Sequence, residues 1–136
     1  MNTLNKVFER LLHNQLYKYV EDNNILPNFQ YGYRKNYSTC HAVLDFANEI
    51  GKTVDRKEVA IAIFMDLSKA FDTVDKHILS EKLSEIGVLG INNQLIINYM
   101  TNRTFHMNND PNQTYEMHYG VPQGSILGPL LFLIYI

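Results

Sequence analysis

A single cysteine, Cys40, is all the sulfhydryl chemistry this sequence has. It excludes an internal disulfide framework and fits a reducing compartment. No basic-then-apolar signal segment opens the chain, which leads directly into an amphipathic pattern. Long apolar runs are also missing. The longest, residues 126–136, is interrupted by Gly128 and Pro129 and is too short to span a bilayer. A soluble, intracellular protein without a membrane partner is expected, with nucleus or cytoplasm left open. Charge of one sign is scarce: 12 Lys and Arg stand against 14 Asp and Glu, a net charge of −2 with a pI near 6.2. Bulk nucleic-acid binders carry a clear basic excess. Any contact with nucleic acid must therefore come from a local patch or from other parts of a larger protein. Internal repeats, low-complexity tracts and linkers are absent. The five histidines form no metal-ligand pattern. His106 and His118 could face each other across a hairpin but lack a third ligand, and His13, His41 and His77 read as helix-surface residues.

What is present is a globular composition, 46% hydrophobic and 19% charged over 136 residues. That length suits one domain with a sizeable core and is too short for two ordinary ones. Leu4, Val7, Phe8, Leu11, Leu12, Leu16, Tyr19 and Val20 recur with the period of a helix buried on one face. The pattern stops near Asn23-Asn24, and Pro27 follows as a breaker. After a polar-aromatic loop, Ser38 or Thr39 can cap a second helix with a buried stripe of Val43, Phe46, Ala47, Ile50 and Val54, and Cys40 is expected to pack inside. Residues 59–65 form a continuous apolar run bounded by charge, which predicts a central strand buried on both faces. Helices are expected near 76–86, stopped by Gly87, and near 92–100. Residues 103–107 and 115–119 flank a turn-rich stretch and predict a hairpin. The last segment is a turn followed by an apolar helix that tolerates Pro129 in its first turn. The expected fold class is α+β, helices packed on a small antiparallel sheet.

Three places could carry chemistry. Asp66 ends the predicted strand, where a carboxylate fixed at a sheet edge can hold a hard cation; capping the following turn is the alternative, and spacing alone leaves both open. Asp72 and Asp75 stand at a helix start, where carboxylates satisfy free amides and the helix dipole, so capping is the favoured role. Gly120-Val121-Pro122-Gln123-Gly124-Ser125 is a turn running into a helix, with glycine permitting close approach of a ligand and helix amides available to an anion. Tyr31, Tyr33, Arg34, Lys35 and Tyr37 interleave rings with cations, as a single-strand or phosphate contact would. An ordinary solvated loop has the same composition.

Longer strings decide more. Ile63-Phe64-Met65-Asp66-Leu67-Ser68-Lys69-Ala70-Phe71-Asp72-Thr73-Val74-Asp75 resembles the metal-binding aspartate motif of non-LTR (LINE-type) retrotransposon reverse transcriptases. Val121-Pro122-Gln123-Gly124-Ser125-Ile126-Leu127-Gly128-Pro129-Leu130 is similar to their nucleotide-pocket motif. Gln30-Tyr31-Gly32-Tyr33-Arg34 with Ser38-Thr39 resembles the preceding fingers motif, and Asn5-Lys6-Val7-Phe8-Glu9-Arg10 the helix leading to it. The resemblance covers essentially the whole chain, in family order. It implies part of a right-hand polymerase, a single partial domain with fingers-like residues 1–57 and palm-like residues 58–136.

By that resemblance the protein adds deoxynucleoside triphosphates to a DNA primer on an RNA template, with Mg²⁺. Asp66 would be the catalytic, metal-holding carboxylate and the Leu67 carbonyl a further metal ligand. Phe71 would stand at the steric gate against a ribose 2′-hydroxyl, and Gln123 and Gly124 would lie along the incoming nucleotide and template base. Arg34 and Lys35 are the candidate nucleic-acid contacts. The family's second carboxylate pair would follow residue 136, so these residues alone are expected to need the remainder of the polymerase chain and to be inactive without it. Two rival readings are a non-catalytic nucleic-acid-binding remnant and a maturase-type reverse transcriptase of a group II intron.

Overall fold

The computed structural model describes residues 3–101, 104–107, 110–116, 119–122 and 124–136. These residues form two compact units, Met1–Ile25 with Lys69–Ile136, and Leu26–Ser68. No described helix is long and apolar enough to cross a membrane.

The first unit begins with α1, Thr3–Asp22. Its buried face differs from the expected stripe: Leu4, Val7, Phe8 and Leu11 are exposed, while Glu9, Leu16 and Val20 are buried. Spaced seven and four residues apart, these three lie on one helical stripe that includes a carboxylate. The chain re-enters the unit through a 3-10 turn at Ala70–Thr73. Asp75 then caps α2, Lys76–Glu85, by accepting from the amides of His77 at 2.7 Å and Ile78 at 3.3 Å. Gly87, at φ +90°, ends that helix in the left-handed region where a Cβ is disfavoured. The Tyr19 hydroxyl donates to the Ile86 carbonyl at 2.8 Å and ties α1 to this corner. Next comes α3, Gly90–Met100, whose buried Asn93 accepts from the Ser80 hydroxyl and donates to the Ser80 carbonyl and Ser84 hydroxyl at 2.8–2.9 Å. That network satisfies a polar group which would otherwise be costly to bury. The unit closes with α4, Gly128–Tyr135, which carries a proline in its first turn and buries Leu130, Leu131, Leu133 and Ile134. Its core is completed by Val74, Leu79, Leu83 and Leu127.

The second unit holds α5, Thr39–Asp55, capped by Ser38, whose hydroxyl accepts from the His41 amide. Three expectations fail here. Helix α5 has no buried residue, and Val43, Phe46, Ile50 and Val54 are exposed. Cys40 is exposed as well. Residues 59–65 form no strand, and Val59, Ile61, Ile63, Phe64 and Met65 are 81–89% exposed. One contact from this run is Phe64 edge-on to Phe46, ring centres 5.7 Å apart. An apolar run becomes a buried strand only beside strands that pair with its backbone, and no described residue pairs with this one.

The expected α+β arrangement, helices on a small antiparallel sheet, is therefore corrected to a helical fold in which helix packs on helix. The extended pairing among the described residues is a ribbon of two segments, β1 (Thr104–Met107) and β2 (Asp110–Glu116), antiparallel with Thr104 opposite Glu116. It is no layer for helices to rest on. Its second segment starts at Asp110, inside the stretch read as turn, and Arg103, Met117 and His118 of the expected hairpin lie outside the described residues.

Candidate nucleotide-pocket turn and catalytic carboxylate

Within the first unit, sequence positions fifty residues apart are brought together. The backbone of the 3-10 turn meets the backbone of the glycine turn: the Gly120 amide donates to the Val74 carbonyl and the Val121 amide to the Phe71 carbonyl, both at 2.8 Å. Gly120 has φ +89°, and a Cβ there would stand 3.0 Å from the Asp72 Cα and 3.1 Å from two backbone oxygens. Backbone cannot yield as a side-chain tip can. Gly120→Ala is expected to cost about 2–4 kcal/mol, the sum of a left-handed penalty and overpacking. Thermal denaturation of this variant beside Gly124→Ala checks it, because a Cβ on Gly124 meets nothing within 4 Å. The Gly120 variant should melt well below the Gly124 variant, which shares a positive φ of +71° but not the clash.

Phe71 is half-buried, and its ring packs against Phe132 of α4 at 4.7 Å between centres, tilted by 44°. The turn itself is held from below. Lys6 Nζ donates to the Gly124 carbonyl at 2.6 Å, and Glu9 Oε2 accepts from the Ile126 amide at 2.9 Å. Ser125 Oγ accepts from the Gly128 amide at 2.9 Å, at the start of α4. A Cβ at Gly128 would collide with Ser125 Oγ and press on Val121 at 3.3 Å, so a larger residue there would force the Ser125 hydroxyl to turn away. Gln123 lies outside the described residues.

Sequence reasoning missed the contacts that Lys6, Glu9 and the Ser125 hydroxyl make with backbone of the turn and the helix after it. A signal for Glu9 existed: it falls on the same helical stripe as Leu16 and Val20, where a carboxylate is out of place unless something donates to it.

Asp66 and Leu67 belong to the second unit, in a segment without regular secondary structure following residues 59–65, and both are exposed. Asp75 is a helix cap as expected, and Asp72 is an exposed residue of the 3-10 turn. Mg²⁺ takes six oxygens, one or two of them from carboxylates and the rest from water and substrate phosphates. Asp66 offers one carboxylate and Leu67 one carbonyl. Among the described residues no three His, Cys, Asp or Glu side chains stand close enough to hold a metal ion. The donor type fits, but the described residues do not make a complete cation site.

Arg34 is engaged within its own loop: Nη1 donates to the Pro27 carbonyl at 2.9 Å and the guanidinium lies 4.6 Å from the centre of the Tyr37 ring. Tyr31 hydrogen-bonds Asp45, and that bond, with burial and the carboxylate's charge, raises its pKa above the ordinary tyrosine value. Lys35 and Tyr33 are exposed. The aromatic-cationic cluster is thus a built loop rather than a free row of side chains, with Lys35 and Tyr33 on its surface.

The family model for reverse transcriptase (RNA-dependent DNA polymerase) matches residues 1–136, the whole chain. The chain belongs to the reverse transcriptase family. Among curated proteins, this reverse transcriptase chain is 34% identical over 143 residues to a probable RNA-directed DNA polymerase from transposon BS of Drosophila melanogaster, covering 99% of the chain. It is 33% identical over 139 residues to the RNA-directed DNA polymerase from mobile element jockey of the same organism, and 30% identical over 138 residues to the probable polymerase from transposon X-element, each covering 98% of the chain. The reverse transcriptase chain spans 15% of the length of each of these relatives. No solved structure matches it.

Proposed function

We propose that this chain is the part of a retrotransposon's RNA-directed DNA polymerase that supplies the first catalytic carboxylate and the turn along the incoming nucleotide. The reaction is addition of deoxynucleoside triphosphates to the 3′ end of a DNA primer, copied from RNA. The observation that carries this reading is similarity along the entire chain to polymerases of three mobile elements.

In this reading Asp66 is one ligand among several for Mg²⁺, with the Leu67 carbonyl beside it. Oxygen donors are what a small hard cation takes, and Asp66 is exposed to accept one. Phe71 excludes a ribose 2′-hydroxyl by bulk. Gln123 and Gly124 present backbone and side chain to the nucleotide and the template base; at Gly124 the space a Cβ would fill is open. Lys35 is the cation of the aromatic loop that reaches a phosphate, while Arg34 holds the loop's shape through Pro27 and Tyr37.

The test is a graft. Residues 1–136 replace the matching stretch of the jockey polymerase, and extension of a labelled primer on RNA is followed with Mg²⁺. The expected result is extension that a polymerase lacking the stretch does not show. A folded graft that binds primer and template yet adds no nucleotide would count against the proposal.

A further inference from the structure

We propose that Glu9, acting with Lys6, is a positioning residue of this polymerase: the two side chains hold the glycine turn at Gly124 and Ile126 from beneath so that Gly124 meets the nucleotide in one geometry. The inference rests on the function proposed above and names residues which that reading does not use. Glu9 is fully buried, at 0% exposure, and its Oε2 accepts the Ile126 amide at 2.9 Å. Lys6, one helical turn earlier, donates to the Gly124 carbonyl at 2.6 Å. The two contacts take hold of the turn at positions two residues apart, across more than 110 residues of sequence. The Ser125 amide bonds the Pro122 carbonyl at 3.1 Å and the Ser125 hydroxyl takes the Gly128 amide at 2.9 Å, so the same segment is fixed on its α4 side. Above it, Gly124 is exposed with nothing within 4 Å of a built Cβ. The turn is held underneath at Gly124 and Ile126 and clear above Gly124, as a surface for a flat ligand has to be.

Packing does not explain Glu9. The other buried residues of α1, Leu16 and Val20, are apolar. Glu9 Oε1 has no hydrogen-bond partner among the described residues, and a buried polar atom left unpaired costs stability. A leucine there would fill similar space and remove the unpaired Oε1, but would leave one part-buried amide without its acceptor. What leucine cannot do is accept the Ile126 amide. A buried carboxylate on an otherwise apolar stripe, one oxygen unpaired and the other ordering a loop at the proposed nucleotide contact, is accounted for by the loop.

The experiment uses the full-length graft and its Glu9→Leu, Glu9→Gln and Lys6→Met variants. Read-outs are melting temperature, amide exchange of the peptide containing Ile126, and kcat and KM for a deoxynucleoside triphosphate on RNA. Glu9→Leu should melt close to or modestly below the parent, exchange faster at Ile126, and raise KM roughly 10- to 100-fold, on the order that a misplacement near 1 Å can cost. Its kcat should change far less. Glu9→Gln keeps an acceptor and should restore both exchange and KM to near the parent. Lys6→Met should raise KM in the same direction by less, and it remains informative if Glu9→Leu fails to fold. An unchanged KM in Lys6→Met and in any folded Glu9→Leu overturns the inference, as does equal loss in the leucine and glutamine variants. Such a result in a graft that still extends primers leaves the proposed function standing. A graft with no extension at all removes that function instead.

Discussion

Asp66→Asn in a polymerase carrying residues 1–136 is expected to lower RNA-templated kcat/KM by about a thousandfold or more. The amide keeps the size and one acceptor oxygen but loses the charge that a hard divalent cation requires. A cation's stabilisation of charge in the transition state is worth several kcal/mol, and each 1.36 kcal/mol is a factor of ten. Asp72→Asn and Asp75→Asn are the controls. Asp75 accepts two amides at the start of α2, and asparagine is as good a cap as aspartate, so that variant should keep both fold and activity. Asp72 is an exposed residue of the 3-10 turn. Steady-state incorporation by all three variants checks the forecast, and comparable losses across them would deny Asp66 its special role.

Phe71→Ala is expected to relax sugar discrimination. If its ring occupies the space of a ribose 2′-hydroxyl, trimming it admits ribonucleotides and lowers the deoxy-over-ribo preference by roughly 10- to 1,000-fold, the range of a relieved clash of a few kcal/mol. Deoxynucleotide use should remain largely intact. The fold adds a second consequence, because the ring also packs on Phe132 of α4. Losing that pair removes about 0.5–1.5 kcal/mol beyond the buried area, so the melting temperature should fall modestly. Complete core burial would instead predict a loss of about 3–5 kcal/mol and equal damage to both substrates. The half-buried ring stands between those limits. Matched kcat/KM values for a ribo- and deoxynucleotide pair, read beside a melting curve, separate the roles. An unchanged sugar preference with a large fall in melting temperature leaves Phe71 as a core residue.

Local chemistry was the legible part of this chain. Ser38 and Asp75 cap helices because a short oxygen-bearing side chain reaches the free amides of the first turn, a relation confined to three residues. Gly87 stops α2 because it alone takes a positive φ without penalty at that place. Burial was less legible, since it depends on what lies opposite. The apolar run at 59–65 and the stripe of Val43, Phe46, Ile50 and Val54 satisfy the periodicity of buried elements, yet remain exposed. Periodicity says which residues could share a face and nothing about whether a partner covers it. The same limit shifted the face of α1: Leu16 and Val20 are buried as the pattern has it, but Leu4, Val7, Phe8 and Leu11 stay exposed and Glu9 is buried.

The candidate site divides along the same line. Phe71 and the glycine turn were marked as strings of sequence, and the fold joins them through two backbone hydrogen bonds. The contacts of Lys6 and Glu9 escaped notice because their partners, at Gly124 and Ile126, are backbone atoms more than 110 residues away.

Template obedience tests the central claim most directly. The grafted polymerase is given one primer on four RNA templates that differ only in the next base, with each deoxynucleoside triphosphate supplied singly. The account predicts that addition follows complementarity on all four RNAs and disappears when the RNA is digested first. Addition that ignores the template base, or that continues without RNA, would contradict it.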